Sequence, residues 1–238
     1  MRYFRLLLMM TCTSFLYGQA VTAKSVPGMD FTGYWVSVVT EDWLYRMVTP
    51  LKGDYQSVPL NAEARKIADA WDPARDEAAG NQCKGYGAPA IMRLPGRLRI
   101  TWQDDNALKV ETDAGTQTRL FRFGANVANT PGGDWQGVSI ANWEQVAGAR
   151  AVLPGAGMRV TTTRLKPGYL RRNGVPYSAD ATVTEFYDRV TETNGDSWLI
   201  VKTIVNDPTY LNVPFITSTH FKKQADDKGW NPMPCSAR

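Results

Sequence analysis

Residues 97–123, RLRITWQDDNALKVETDAGTQTRLFRF, hold three apolar-rich runs separated by two turn sequences, and few folds accommodate that pattern. The runs 97–103, 107–113 and 116–123 are divided by Asp104-Asp105-Asn106 and by Ala114-Gly115, residues suited to a tight reversal. A two-residue loop at 114–115 pairs Thr112 with Gln117, Val110 with Arg119 and Leu108 with Phe121. A three-residue loop at 104–106, with Asn106 in the left-handed conformation, pairs Trp102 with Leu108 and Ile100 with Val110. Directly opposed residues share a face of the sheet. One face then carries Leu98, Ile100, Trp102, Leu108, Val110, Phe121 and Phe123. The other carries Arg97, Arg99, Gln103, Lys109, Glu111, Leu120 and Arg122. Two independent turn lengths agree on one apolar face, and Gln117 and Arg119 fall on it too.

The rest of the chain predicts more strands beside this meander. Residues 31–39 are aromatic and β-branched, and 43–48 read as a second strand. Ala62, Ala64, Ile67, Ala68 and Trp71 recur at helical spacing behind Asn61, a good N-cap, and Asp72-Pro73 should end that helix. Residues 74–96 read as irregular, punctuated by glycine and proline. Strands are expected at 135–146 and 158–165, then a long excursion over 166–179 able to form a lid or rim. A hairpin of 181–192 and 197–206 turns at Asn194-Gly195, where a two-residue loop pairs Val190 with Leu199, Asp188 with Val201 and Phe186 with Thr203. Residues 215–222 form the last strand. The expectation is an all-β chain: a single antiparallel barrel of about ten strands, lipocalin- or calycin-like, with one short helix near 60–71. No repeat or linker divides it, so residues 24–238 read as one domain.

Residues 1–23 have the layout of a secretory signal peptide. Arg2 and Arg5 precede an apolar run from Leu6 to Gly18, and cleavage suits either Gly18-Gln19-Ala20 or Val21-Thr22-Ala23. That run is too short to span a bilayer, so no membrane span is expected, and the destination is periplasmic or secreted. Without this segment the 27 basic residues lose two against 23 acidic ones, a balance near +2 with no basic stripe to suit nucleic acid. Cys83 and Cys235 remain. An even pair in an exported chain reads as a disulfide, with two free thiols as the alternative. A monomer or weak oligomer is expected.

An ordered series of short motifs runs from Cys83 to Cys235. Cys83 precedes Gly87 and Pro89; Trp135-Gln136-Gly137-Val138-Ser139 and Trp143-Glu144 follow. Then come Gly168-Tyr169-Leu170, Tyr177-Ser178-Ala179-Asp180, Val183-Thr184-Glu185-Phe186-Tyr187, and Asn206-Asp207-Pro208 with Tyr210 and Pro214. Over roughly 83–235 the chain resembles a group of exported bacterial β-rich proteins to which no activity is assigned. Where those relatives often read His-Ser-Asp, Tyr177 replaces the histidine, so a histidine role does not carry over. The resemblance implies a fold class and no function.

His220 is the single histidine, which excludes metal sites built on several imidazoles; no metal and no cofactor is expected. Its strand places it on the more polar face, as a surface or rim residue or as an acid–base group. No nucleophile-elbow, phosphate-loop, EF-hand or zincin motif is present. Arg119 on an apolar face is sharper, because a buried guanidinium must be paired. Asp188 shares a face with Val190, Leu199, Val201 and Val205 and is the first partner. Glu185 is the second, or else it pairs outside with Lys202; a one-residue slip of the hairpin would bring Glu185 to Arg119. The pair is either structural or a polar anchor for a ligand in the barrel mouth. Gln117 beside Arg119, the mid-sheet Trp102, and Tyr169 and Tyr177 flanking the excursion complete the binding candidates; Glu185, Asp188 and His220 are the catalytic ones. The expected function is non-enzymatic binding of a small, partly apolar ligand in the interior. The rival is a barrel enzyme (hydrolase, isomerase or cyclase), and a third possibility is an envelope interaction protein without a cavity.

Overall fold

In a computed structural model the described residues are 21–124, 130–145, 148 and 150–238. Residues 1–20, which hold most of the expected signal peptide, lie outside them. Nine strands close a barrel in the order β1-β11-β10-β9-β6-β5-β4-β3-β2. They are β1 (Gly33–Val38), β2 (Arg97–Asp104), β3 (Ala107–Thr112), β4 (Gln117–Phe123), β5 (Val138–Trp143), β6 (Met158–Thr163), β9 (Thr182–Thr191), β10 (Ser197–Asn206) and β11 (Phe215–Gln224). A separate two-stranded sheet joins β7 (Gly168–Arg171) to β8 (Val175–Tyr177), so the excursion over 166–179 is itself sheet.

The barrel is mixed, where an antiparallel one of about ten strands was expected. An odd number of strands cannot alternate direction all the way round, so one adjacent pair must run the same way. That pair is β4 and β5, matched as Phe121↔Ser139, Arg122↔Ile140 and Phe123↔Ala141. A parallel pair needs a connection longer than a hairpin turn, and 14 residues separate Phe123 from Val138.

The meander forms with the expected pairs Trp102↔Leu108, Ile100↔Val110, Val110↔Arg119 and Thr112↔Gln117. Its first turn is tighter than expected: Asp104 pairs with Ala107 across a bulge, and Asn106 stays out of the left-handed region. Asn106 N–H instead donates to the Asp104 carboxylate at 2.8 Å.

The final hairpin differs by one residue. Val190 pairs with Trp198, Asp188 with Ile200, Phe186 with Lys202 and Glu185 with Thr203. The loop has three residues, closed by Glu192 N–H to Asp196 O at 2.8 Å and Gly195 N–H to Glu192 O at 3.0 Å. Gly195 takes positive φ (89°) and Asn194 does not, so the turn is not the expected two-residue type. The slip carries the β9 side chains to the face opposite the one expected, while Leu199, Val201 and Val205 of β10 stay inside.

The helical segments correct two further expectations. Residues 43–48 hold a helix, α1 (Trp43–Met47), not a strand, and 74–96 are not irregular. Asn61 does cap α2 (Ala62–Asp69), accepting from Ala64 N–H at 2.9 Å. α2 ends at Asp69 with Ala70 as its C-cap, short of Asp72-Pro73, which instead starts α3 (Pro73–Ala78), since proline suits a first helical position and Asp72 accepts from Ala74 N–H. A 3₁₀ turn at Gln82–Tyr86 and α4 (Ala88–Ile91) follow. These pieces and β7–β8 cap one end of the barrel over a second core containing Ala64, Ala68, Leu170, Val175 and Tyr177. The Cys83–Cys235 disulfide ties the tail to this cap. Among the described residues no helix is long and apolar enough to cross a membrane.

Gly195→Val is expected to lower stability by about 1–3 kcal/mol, because a β-branched side chain opposes positive φ. Gly195→Asn should cost less. Urea midpoints of the two variants decide it; an unshifted Val variant would mean the turn strain is not there.

Candidate functional site

The inward faces of the strands set the polar centre of the barrel. Alternation carries Val110 and Thr112 of β3, Arg119 and Phe121 of β4, Ser139 of β5, Thr162 of β6, and Glu185 and Tyr187 of β9 to the interior. Arg119 Nη1 donates to Glu185 Oε1 at 2.9 Å and Nη2 to Oε2 at 2.6 Å, a two-pronged pair with both side chains fully buried. Arg119 Nη2 also reaches Thr162 Oγ1 at 3.2 Å, and Thr162 and Ser139 share a hydrogen bond of 2.7 Å. Tyr187 O–H donates to Glu185 Oε1 at 3.3 Å. Burial opposes the Arg119 charge, but the Glu185 carboxylate outweighs it and holds the guanidinium pKa above its ordinary value. Burial first and then the Glu185 charge push the Tyr187 hydroxyl well up, so it stays a donor.

Asp188 is not the partner. The one-residue slip turns it outward, where it is exposed, and puts Lys202 over the ring of Phe186 instead of beside Glu185. His220 lies on the outer face of β11 with Nδ1 at 3.2 Å from Glu41 Oε2. The catalytic candidates Glu185, Asp188 and His220 are therefore not brought together.

The other binding candidates separate too. Gln117 sits at the capped end as a brace: its amide donates to Gly115 O at 2.6 Å and Cys235 Sγ at 3.3 Å, and its carbonyl accepts from Gln136 at 2.9 Å. Tyr169 is half-buried, donates to Asp76 Oδ2 at 2.7 Å and lies under the Lys84 ammonium. Tyr177 is no rim residue: it is fully buried, its hydroxyl has no partner, and it is held so close to Gly87 and Gly168 that a Cβ on either would sit within 2.6 Å of it. Burial first, then the charge of Asp134, raises its pKa.

Trp102 is at the opposite, open end. There Trp102, Phe123, Trp143 and Phe31 form a chain of rings with centroid separations of 5.9, 5.1 and 6.3 Å. Below them the Phe121 and Tyr187 rings, 5.4 Å apart, floor the space above the ion pair. A recess of about 270 Å³ remains between this rim and the N-terminal arm, lined by Met29, Phe31, Trp102, Leu108 and Trp143, with Lys24 and Asp30 at its edge. The arm is latched by Ala23 N–H to Asn106 Oδ1 at 2.8 Å, Lys24 N–H to Asp105 O at 3.0 Å, and Trp143 Nε1–H to Ala23 O at 3.1 Å. Trp143, which the sequence offers in the motif series but not as a site residue, and the arm were missed, because a strand aromatic and a stretch beside a leader carry no distinguishing signal. Among the described residues no group of three or more His, Cys, Asp or Glu side chains could hold a metal ion.

Comparison with known protein families, curated proteins and solved structures yields no match.

Arg119→Met should cost about 3–5 kcal/mol, since it strands the Glu185 carboxylate in the interior. Arg119→Met combined with Glu185→Leu should recover most of that loss. Denaturant unfolding of the three proteins checks this; a single variant as stable as the parent would show that the pair does not hold the barrel.

Proposed function

We propose that this is an exported, non-enzymatic binding protein whose ligand, small and partly apolar, sits at the open mouth of the barrel. The observation that carries the reading is the aromatic recess of about 270 Å³ between the rim tryptophans and the N-terminal arm. A concave site with apolar walls and a few polar groups at its edge suits such a ligand, and barrel mouths are a favoured place for one. Binding at one end of a closed barrel is the sense in which a lipocalin-like comparison applies. In this reading the ligand lies among Met29, Phe31, Trp102, Leu108 and Trp143, and Arg119, which does not line that recess, makes no direct contact with it. The enzyme reading finds less support: both Glu185 oxygens are engaged by Arg119, while Asp188 and His220 face outward.

Export to the periplasm or beyond, and kinship with the exported bacterial β-rich group, belong to the same proposal; the Cys83–Cys235 bond suits an oxidising compartment. Burial of Ala23 and its two latching bonds favour cleavage after Ala20, because cleavage after Ala23 removes the latch. N-terminal sequencing of the mature protein should read Val21 first; Lys24 or Met1 would contradict this.

N-phenyl-1-naphthylamine, a neutral apolar fluorophore, should bind saturably and compete with whatever co-purifies with the protein. Trp102→Ala is expected to weaken it at least tenfold, about 1.4 kcal/mol, without lowering the melting temperature by more than a few degrees. Unchanged affinity in that variant would remove the mouth as the site.

A further inference from the structure

A concave surface lies at the other end of the barrel, beside the disulfide-tied cap, and three guanidinium groups and the Asp113 carboxylate line it. It measures about 350 Å³, with Arg46, Arg97 and Arg172 on its walls and Met47, Leu94 and Met233 as its apolar lining. A narrow recess continuing past Arg46 and Arg172 reaches Arg93 and Arg171.

These arginines are unequally neutralised. Arg97 has Asp113 at 3.9 Å and Gln224 at 3.2 Å. Arg93 pairs with Asp42 at 3.1 Å. Arg46 is 2% exposed; its Nε donates to Arg93 O at 2.8 Å and its Nη1 pairs with Glu41, but its buried Nη2 has no acceptor. Arg171 is 4% exposed; Nη2 donates to Ser57 Oγ at 3.0 Å while Nε and Nη1 have no acceptor. The nearest carboxylates are shared out: Glu41 also meets His220, and Asp42 sits between Arg93 and the solvent. Arg172, half-buried at the entrance, donates to the terminal Arg238 O at 3.3 Å. Burial, then the neighbouring Arg93 charge, drives the Arg171 guanidinium below its ordinary pKa, and burial outweighs Glu41 to lower that of Arg46. A cluster that holds cations together at this cost, with donor atoms left over, is complementary to an anion.

We propose that this cleft is a second binding site, for a small molecule with an oxyanion head (carboxylate, sulfonate or phosphate) and an apolar body. The head lies between Arg46 and Arg172, and the body lies on Leu94, Met47 and Met233. The site is independent of the mouth: the two are at opposite ends of the barrel and share no lining residue.

A matched pair of probes separates the two sites. 1-Anilinonaphthalene-8-sulfonate carries the ring system of N-phenyl-1-naphthylamine plus a fixed negative charge. On the mature, disulfide-bonded protein the sulfonate probe should bind saturably. Arg172→Met should weaken it at least tenfold, Arg172→Lys less, and Trp102→Ala not at all. Rising sodium chloride should weaken the sulfonate probe and leave the neutral one unaffected. Arg172 is half-buried and, among the described residues, hydrogen-bonds just Arg238 O, so its variants should fold; melting curves verify that. Arg46→Met, which leaves Glu41 with His220, gives a second reading of the same cleft. The inference is overturned if the wild-type protein shows no saturable sulfonate binding, or if folded Arg172→Met and Arg46→Met variants both bind it normally. It is equally overturned if Trp102→Ala alone abolishes sulfonate binding, an outcome that leaves the mouth reading intact.

Discussion

A guanidinium enclosed by a β-barrel has no water to fall back on, so its position dictates where a carboxylate must be. Arg119 imposes that condition on this chain. Val110 opposite, Phe121 two residues on and the Thr162 hydroxyl fix the guanidinium plane, and Glu185 meets it through both oxygens. A single inward register of β9 satisfies it. The hairpin loop at 193–195, the outward turn of Asp188 and the packing of Tyr187 against Phe121 all follow from that register. Pairing of this kind adds little net stability over an apolar core, but breaking it is costly, so it selects one register against its neighbours.

The second constraint is topological. Nine strands leave one parallel seam, between β4 and β5. Helices α1–α4 and β7–β8 then gather at one end and the N-terminal arm crosses the other. The two ends acquire opposite chemistry: aromatic rings and an arm at the mouth, arginines and a disulfide at the cap. Between them lies the buried Arg119–Glu185 pair.

Alternation and turn chemistry made the meander legible in the sequence. Three runs with fixed spacing allow one apolar face, and Arg119 stood out because it broke that pattern. The Asn61 cap and the outer position of His220 were legible for similar local reasons, and the Cys83–Cys235 bond because two cysteines remain after the leader. Sequence alone offered Glu185 and Asp188 together as partners for Arg119. A loop one residue longer than its Asn-Gly signal suggested chose between them, and loop length is decided by what the two strands bury.

The arginine cleft had no sequence signature. Arg46 sits in a helix that reads as a strand, since Trp, Leu, Tyr, Met and Val favour either state at that length, and Arg93, Arg171 and Arg172 fall in stretches without periodicity. Arg46, Arg97 and Arg172 meet only because the cap folds back over the start of β2. The sequence by itself determined a β-rich chain, its meander register and a buried charge in need of a partner, since these depend on neighbours a few residues away. Strand number, the parallel seam, the choice of Glu185 and the grouping of the arginines were decided by tertiary closure, because each depends on contacts between segments that local pattern does not relate.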